Sequence, residues 1–530
     1  MVTIGELKLG KVDGKDEFLL QGDGVDDFYD AFLVPDNIEL ASFEEREIYY
    51  ITGFRGTGKT SLLRYILWRC QKDEKYRVII LFKSEIEEEK RMQISNQVGA
   101  VFSEANSNKM GISQDYKSAW TWFIMHQIGS IMITQPDCYT ANDSSETFLR
   151  LMGLAKETPF KKVLGFLPKL EGAKVKISAD IPIFQANIDL DFEKENSTSA
   201  TALFSEVVSA ALFSMTNVKF QKKLVIGIDE LEVFFFHREQ YDRDLSMVRD
   251  LIFAVDRVNQ KLRAKNAPIL LMAAIRREIV DAIGVLGQEV NRVVHDRGVG
   301  LSWHHAQRSL RHPLIEMVRR KIRHSLGKGY DGDPIQDFFD ATVDGEPLDA
   351  YLLDRSFYRP RDIMWRLTFA QKIFPREERF GNKSLRETES EYSKQLWAEI
   401  CYELGATFSS DEVKAIESIF SGIKRTFYIK DIEEIAKTKS RYSNSILAFT
   451  KNNSLIELCE KLYSNGALGN EFRTGSTGNI FKNRWIFRGD QNLIVDQRMT
   501  LNPAVRKALS AIDLRKRGVS GGRKSTFDPQ

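Results

Sequence analysis

The chain has 530 residues, 42% hydrophobic side chains and a formal net charge of +2 at pH 7. This length predicts about three domains, and the apolar content excludes a chain without packed cores. A net charge so close to zero does not by itself indicate a nucleic-acid or a membrane partner.

The cysteine pattern and the lengths of the apolar runs predict the cellular compartment. Cys70, Cys138, Cys401 and Cys459 form no CxxC pair, so we expect reduced thiols rather than disulfides. The histidines form no metal-spaced set. No charged-then-apolar signal opens the chain, and no window approaches about 18 uninterrupted apolar residues. We therefore expect a cytoplasmic protein with no membrane partner.

An acidic N-terminal arm, residues 1–45, precedes the strongest motif of the chain. This motif fits the phosphate-loop pattern G-x-x-x-x-G-K-[ST], and residues 48–51 and 61–67 predict the strand and helix that such a loop requires. Backbone amides curled by glycine, together with a helix N-terminus, bind phosphate. The predicted nucleotide-binding residues are Gly53, Phe54, Arg55, Gly56, Thr57, Gly58, Lys59, Thr60 and Ser61.

Two side chains of this motif have more specific expected roles. Lys59 should reach the β- and γ-phosphates, and Thr60 should offer its hydroxyl to Mg²⁺. A strand is predicted over 76–82 and a buried helix over 119–133. Alternation over 174–178 and 188–192 then predicts a β-hairpin within an insertion of about residues 83–198.

A second motif follows this insertion. Residues 224–228 are continuously apolar and end in Asp229 and Glu230, which predicts a strand buried on both faces. Its acidic end should lie at the carboxyl edge of a parallel sheet, where such sheets bind ligands. Asp229 is expected to hold Mg²⁺, directly or through water, and Glu230 to polarise the attacking water.

The next predicted strand, 269–275, ends in Arg276 and Arg277. A basic group at this position can sense the γ-phosphate, because negative charge develops there during transfer. An ordinary surface arginine pair is the alternative.

Residues 286–390 predict a helical domain. Its segment 307–323 is strongly basic and could contact phosphates, although apolar residues at helical spacing favour a solvated amphipathic helix. Pro360 suits a helix start, and Arg361 beside it could reach the γ-phosphate.

A separate α+β unit is expected over 391–512. Ser410 and Asp411 predict a helix cap, and three helices with a hairpin suggest a winged helix. Lys482, Arg484 and Arg488 could then form a DNA-facing wing or the solvated face of a strand. The basic tail, 513–530, is predicted to be disordered.

Together these motifs resemble the STAND branch of AAA+-like P-loop ATPases, particularly bacterial and phage-related members with unknown or defence-associated roles. The resemblance implies an α/β nucleotide-binding core (46–285), a helical lid (286–390) and a winged-helix domain (391–512). It also implies Arg276 as a first sensor and Arg361 as a second. The residues that carry the resemblance are 53–61, 228–232, 274–276, 301–303, 359–362, 462–470 and 485–490.

Three functions remain open on these grounds. The leading hypothesis is a Mg²⁺-dependent, ATP-hydrolysing switch that controls oligomerisation or a separate effector protein. The alternatives are a DNA-loaded ATPase and a nucleotide-binding scaffold with negligible hydrolysis. The absence of a guanine-specific N-K-x-D motif favours ATP, and Arg292 or Arg297 are candidates for an arginine acting on a neighbouring copy.

Overall fold

The structure, a computed structural model, divides into two compact units. We call Val34–Phe234 with Glu239–Leu301 the sheet unit, and Met1–Leu33 with Phe235–Arg238 and Ser302–Gln530 the helical unit. The residues described are 2–14, 29–72, 76–81, 116–155, 175–177, 188–191, 197–231, 238–286, 288–304, 309–405, 407–474, 480–490 and 492–512.

A parallel sheet forms the centre of the sheet unit. Its described strands run in the order β2-β7-β8-β1-β9, and every neighbouring pair is parallel. The strands of this unit are β1 Tyr50–Gly53, β2 Tyr76–Leu81, β3 Tyr139–Thr140, β4 Val175–Ile177, β5 Ile188–Asp191, β6 Lys219–Phe220, β7 Leu224–Leu231, β8 Ile269–Arg276 and β9 Gly298–Gly300. The carboxyl ends of β1, β8 and β7 therefore meet at one edge of the sheet.

Helices flank this sheet. The helices of the unit are α1 Leu40–Glu44, α2 Lys59–Lys72, α3 Lys117–Thr134, α4 Asp143–Leu151, α5 Ser197–Thr216, α6 Arg238–Ala264, α7 Arg277–Leu286 and α8 Gln288–Asp296. Gly227 in β7 explains how closely α2 approaches, because a Cβ there would lie 2.8 Å from Leu67 Cδ1. All eight residues of β8 are buried, as expected of a central parallel strand.

The predicted hairpin is present, since β4 and β5 pair antiparallel. The predicted core limit at residue 285 differs from the observed sheet, because β9 pairs with β1 and extends the sheet to Gly300. Such a short strand, Gly298–Gly300, carries too few side chains to show a periodic pattern. None of the described helices combines the length and apolar character that crossing a membrane requires.

The helical unit contains helices followed by a small antiparallel sheet. Its helices are α9 Pro313–Leu326, α10 Pro334–Phe338, α11 Leu348–Asp354, α12 Pro360–Ile373, α13 Glu389–Leu404, α14 Ser410–Phe420, α15 Ile429–Lys439, α16 Asn444–Asn452 and α17 Leu455–Ser464. Its strands are β10 Thr342–Val343, β11 Glu346–Pro347, β12 Thr426–Phe427, β13 Leu468–Thr474, β14 Ile480–Arg484 and β15 Met499–Leu501. The strand order of its larger sheet is β12-β15-β13-β14.

Details of this unit differ from the sequence-based expectations. Pro360 opens α12 as predicted, but α14 is capped by Ser409, whose hydroxyl accepts from Glu412 N, rather than by Ser410. Between Ser410 and the β13–β14 hairpin the described part of the chain has four helices, α14–α17, one more than expected. The tail 513–530 lies outside the described residues.

The N-terminal segment packs against the helical unit. Ile4, Leu7 and Leu9 are buried in the cluster formed around α9–α12, and Gln371 Nε2 donates to the carbonyls of Ile4 (2.7 Å) and Leu7 (2.8 Å). These three apolar positions lie in a segment, residues 1–45, that is acidic overall, so its composition did not predict their burial. Their packing and the bonds from Gln371 place this segment beside α12.

Candidate nucleotide-binding site

The loop between β1 and α2 has the curled backbone that the sequence predicted. Gly56 (φ 78°) and Gly58 (φ 95°) are in the left-handed region, which glycine occupies at little steric cost. The Thr57 hydroxyl donates to Phe54 O at 2.8 Å and closes the turn. Gly53 is needed for space as well, because a Cβ there would lie 2.7 Å from Thr57 Oγ1.

Lys59 is the first residue of α2 and extends back over this loop. Its Nζ donates to Gly53 O and to Phe54 O, both at 2.9 Å. The ammonium therefore lies among the backbone groups of the loop, at the positive end of a helix, which is a favourable place for a phosphate. The predicted residues 53–61 thus form one continuous loop-to-helix segment.

Thr60 and Asp229 meet across 169 residues of sequence. The Thr60 hydroxyl donates to Asp229 Oδ1 at 3.1 Å, and Asp229 is 2% exposed. One hydroxyl and one carboxylate fit Mg²⁺, which prefers oxygen ligands and takes the rest from phosphate and water. Within the described residues no group of three or more His, Cys, Asp or Glu could hold a metal without such help.

The end of β7 is irregular at the acidic pair. Ile228 pairs with Ala273 and Leu231 with Ile275, so three steps along β7 oppose two along β8. A bulge of this kind re-aims side chains and is frequent near functional sites. Glu230 lies in this bulge; its side chain lies outside the part of the chain that the structure describes, so its predicted role stays a prediction.

Arg276 ends β8, the strand that separates β1 from β7. It is in register with Gly53 and 8% exposed. Its backbone therefore lies between the phosphate loop and the strand that carries Asp229. Arg277 differs, since its guanidinium pairs with Asp281 at 2.9 Å on the exposed side of α7.

Glu278 is a neighbour of the loop that the sequence analysis missed. Its Oε1 accepts from Arg55 N at 3.4 Å. The sequence does show an acidic residue in the first turn of the helix that follows β8. Acidic residues are common at that position because they stabilise the helix, so this one did not indicate a contact with the loop. Only the tertiary fold brings α7 beside the loop.

The second predicted sensor belongs to the helical unit. Arg361, in the first turn of α12, forms ion pairs with Asp13 (3.0 Å) and Glu399 (3.5 Å). Nearby, Arg359 Nε donates to Asp362 at 2.7 Å. Burial raises the pKa of Asp362 to about 6, although Arg359 opposes this shift.

The remaining arginine candidates lie in or next to α8 of the sheet unit. Arg292 is exposed on that helix, and Arg297 is partly buried. The carbonyl of Arg297 accepts from Tyr49 N (2.9 Å) and Tyr50 N (3.0 Å), so its backbone belongs to the sheet. A role of either side chain towards a neighbouring copy stays a prediction.

Two cations in the described part of the basic segment, residues 309–323, have partners within the helical unit. Arg319 pairs with Glu316 and Asp333, and Lys321 Nζ donates to Leu9 O at 3.0 Å. Leu314, Ile315, Val318 and Ile322 are buried. The amphipathic-helix alternative therefore accounts for α9 without a phosphate partner.

Comparisons with known proteins support the nucleotide-binding assignment. Residues 47–105 match the family described as CobW/HypB/UreG, nucleotide-binding domain, and residues 312–401 match the FunZ-associated C-terminal helical domain. A search of curated proteins gave no match. The chain therefore contains a P-loop nucleotide-binding domain in an α/β fold with a parallel sheet.

Solved structures of a bacterial protein are also similar to this chain. The conjugative coupling protein TrwBdeltaN70 in its unbound monoclinic form is 15% identical, with a TM-score of 0.22, over 52% of this chain and 74% of that chain. The plasmid coupling protein TrwB with the non-hydrolysable GTP analogue GDPNP is 14% identical, with a TM-score of 0.21, over 52% and 75%. Identities and TM-scores this low show nothing about the function of this chain.

Proposed function

We propose that this protein is a Mg²⁺-dependent ATP-hydrolysing switch of the AAA+/STAND kind. The contact between Thr60 and Asp229 carries the proposal, because it joins the phosphate loop to the predicted metal-binding carboxylate at one sheet edge. Mg²⁺ would be bound by these two oxygens together with phosphate and water. It would neutralise charge on the transferring phosphoryl group.

The residues of the chain would share the remaining tasks. Lys59 would bind the β- and γ-phosphates, and the loop amides would orient them. Arg276 would respond to the γ-phosphate, because its strand lies between the loop strand and the acidic strand. Glu230 would orient the attacking water. Nucleotide state would then control assembly of copies of this chain, or an effector protein in anti-phage defence.

Glu230→Gln tests the hydrolytic part of this proposal. The amide keeps the shape of the side chain but cannot accept a proton from water, so we expect turnover to fall about 10²-fold while ATP stays bound. The measurement is phosphate release together with retained radiolabelled ATP, with Glu239→Gln as the matched control. Wild-type turnover in Glu230→Gln would remove this residue from its proposed role.

A competition experiment tests the choice of nucleotide and of assembly. We expect ATP to displace labelled ATP at lower concentration than GTP does. Mass measurement with and without a non-hydrolysable ATP analogue should show a change in oligomeric state. Equal displacement by GTP would contradict the proposed preference for ATP, and an unchanged mass would leave effector control as the proposed output.

The second candidate function is a DNA-binding ATPase. One observation favours it: Lys482 is exposed on the β13–β14 hairpin, where a winged helix would present a cation to DNA. Arg484 pairs with Asp490 at 3.0 Å, which reduces the charge available there. Salt-sensitive binding to duplex DNA would support this function, and no retention at low salt with or without ATP would eliminate it.

A further inference from the structure

The helical unit contains a cavity of about 390 Å³ that the proposed function does not use. It lies between the end of α11, the strand β14 and the segment after β15. Its lining includes Asp354, Tyr358, Lys482, Trp485, Arg488 and Asn502. This volume is within the range of pockets that bind small molecules, about 300–1,000 Å³.

Two buried side-chain amide atoms at this cavity have no hydrogen-bond partner in the described part of the chain. Asn502 is 1% exposed, and its Oδ1 accepts from Ala504 N at 3.0 Å. That bond fixes the orientation of the amide, so Nδ2 is the group left unsatisfied. Asn483 Oδ1 is the second such atom. A buried polar atom without a partner destabilises the fold, so these two atoms call for an explanation.

Aromatic side chains form a layer beside these amides. The rings of Trp485 and Phe487 are stacked with centroids 5.6 Å apart and an interplanar angle of 10°. Tyr358 stacks on Phe487 at 5.9 Å. Phe357 and Tyr358 have φ angles of 48° and 53°, and such strain in bulky residues is concentrated at functional sites.

The charge at the cavity is positive overall. Arg488 lies 3.8 Å from Asp354 and donates to Tyr358 Oη at 3.3 Å, so these two charges largely offset each other. Lys482 adds a second cation, and its side chain is exposed. An anionic group at the cavity mouth would therefore be attracted to Lys482, whereas a cation would be repelled.

We infer that this cavity is a second nucleotide-type site that binds a nucleobase carrying a phosphate. An amide donor and an amide acceptor match the edge of a base, aromatic faces suit its ring, and Lys482 suits its phosphate. The base comes either from a free mononucleotide or from single-stranded nucleic acid. The site lies within the helical unit, apart from the P-loop, and does not rest on the proposed hydrolysis.

The test uses the full chain with Lys59→Ala, so that the P-loop contributes little to binding. Isothermal titration would measure AMP, GMP, CMP, UMP, inorganic phosphate and an oligothymidylate of about ten nucleotides. We expect at least one mononucleotide or the oligothymidylate to bind. The stronger of the two identifies the source of the base.

Three further substitutions in that background assign the site. Asn502→Asp keeps the acceptor for Ala504 N and replaces the donor, so we expect affinity to fall about tenfold. Because a buried carboxylate can unfold the unit, Lys482→Glu serves as a second variant; its side chain is exposed, and we expect a salt-sensitive loss of several-fold. Lys430→Glu, an equally exposed lysine on α15 outside the cavity, should bind as the parent does.

Three results would overturn the inference. They are no binding of any probe, binding of inorganic phosphate alone, and unchanged affinity in both Asn502→Asp and a folded Lys482→Glu. Failure of the proposed switch can be told apart from failure of this inference. It would appear as an absence of ATP binding by the chain that retains Lys59.

Discussion

The two units of this protein use charged side chains differently. In the sheet unit, Lys59, Arg276 and Asp229 converge on strand ends beside a loop of backbone amides. In the helical unit, Arg355 pairs with Glu389 at 2.9 Å, and Arg359 pairs with Asp362 at 2.7 Å. A buried cation with its own carboxylate is balanced within the fold, whereas Lys59 lies among backbone groups of the loop, an arrangement that favours an anion.

This difference bears on the two arginines that were predicted to act as sensors. The resemblance implies a sensor role for both Arg276 and Arg361. Arg361, however, has the ion-pair environment of the structural arginines around it, with Asp13 and Glu399 as partners. The following substitutions test whether this contrast holds.

Lys59→Ala should have the largest effect, because it removes the ammonium nearest to the phosphate loop. We expect ATP affinity to fall about 10²-fold or more, as for other desolvated charge pairs. Titration with ATP and Mg²⁺ measures this loss. Arg69→Ala, an exposed cation on the same helix, is the control and should bind normally. An ATP affinity in Lys59→Ala equal to that of the wild type would contradict the phosphate-binding role of this ammonium.

Arg361→Ala should act on stability. Removing a guanidinium that donates to Asp13 and forms an ion pair with Glu399 should lower the free energy of unfolding by about 1.5–3 kcal/mol. Denaturant unfolding measures this, and ATP turnover at a temperature where the variant is folded measures any catalytic part. A stable variant with strongly reduced turnover would instead favour the second-sensor role implied by the resemblance.

Arg276→Gln should reduce turnover about tenfold while leaving ATP affinity nearly unchanged, because the charge redistribution that this guanidinium would stabilise occurs only during transfer. Steady-state hydrolysis and ATP titration separate the two quantities. Arg277→Gln is the matched control, since its guanidinium pairs with Asp281 on the surface. Equal effects of the two substitutions would show that neither arginine is specific to the site.

The smallest expected effect is a change in the pH dependence of stability, which Asp362→Asn should produce. Because the pKa of Asp362 in the folded protein is raised to about 6 from 3.8, its contribution to stability is present at low pH and is lost as pH rises through about 6. Asp362→Asn should remove this decrease between about pH 4 and pH 6. Thermal unfolding across that range measures it, and identical pH profiles for both proteins would contradict the predicted shift.

Local sequence determined most of the nucleotide site. The loop 53–60 and the acidic end of β7 each lie in one continuous stretch, so glycine placement and apolar runs were sufficient to predict them. The strand order was not predictable in this way, because the pattern of a strand does not specify its neighbours. The fold therefore decided that β8 lies between β1 and β7, and that Glu278 lies beside Arg55.

In the helical unit, the long-range packing could not be predicted from the sequence. The helical character of residues 286–390 followed from apolar spacing and from Pro360, but the burial of Ile4, Leu7 and Leu9 did not follow from an acidic segment. The cavity was not predictable from the sequence, since its lining comes from the end of α11 and the turn after it, from β14 and its following turn, and from the two residues after β15. Motifs are local because backbone geometry is local, whereas a cavity or a long-range ion pair exists only after distant segments have packed.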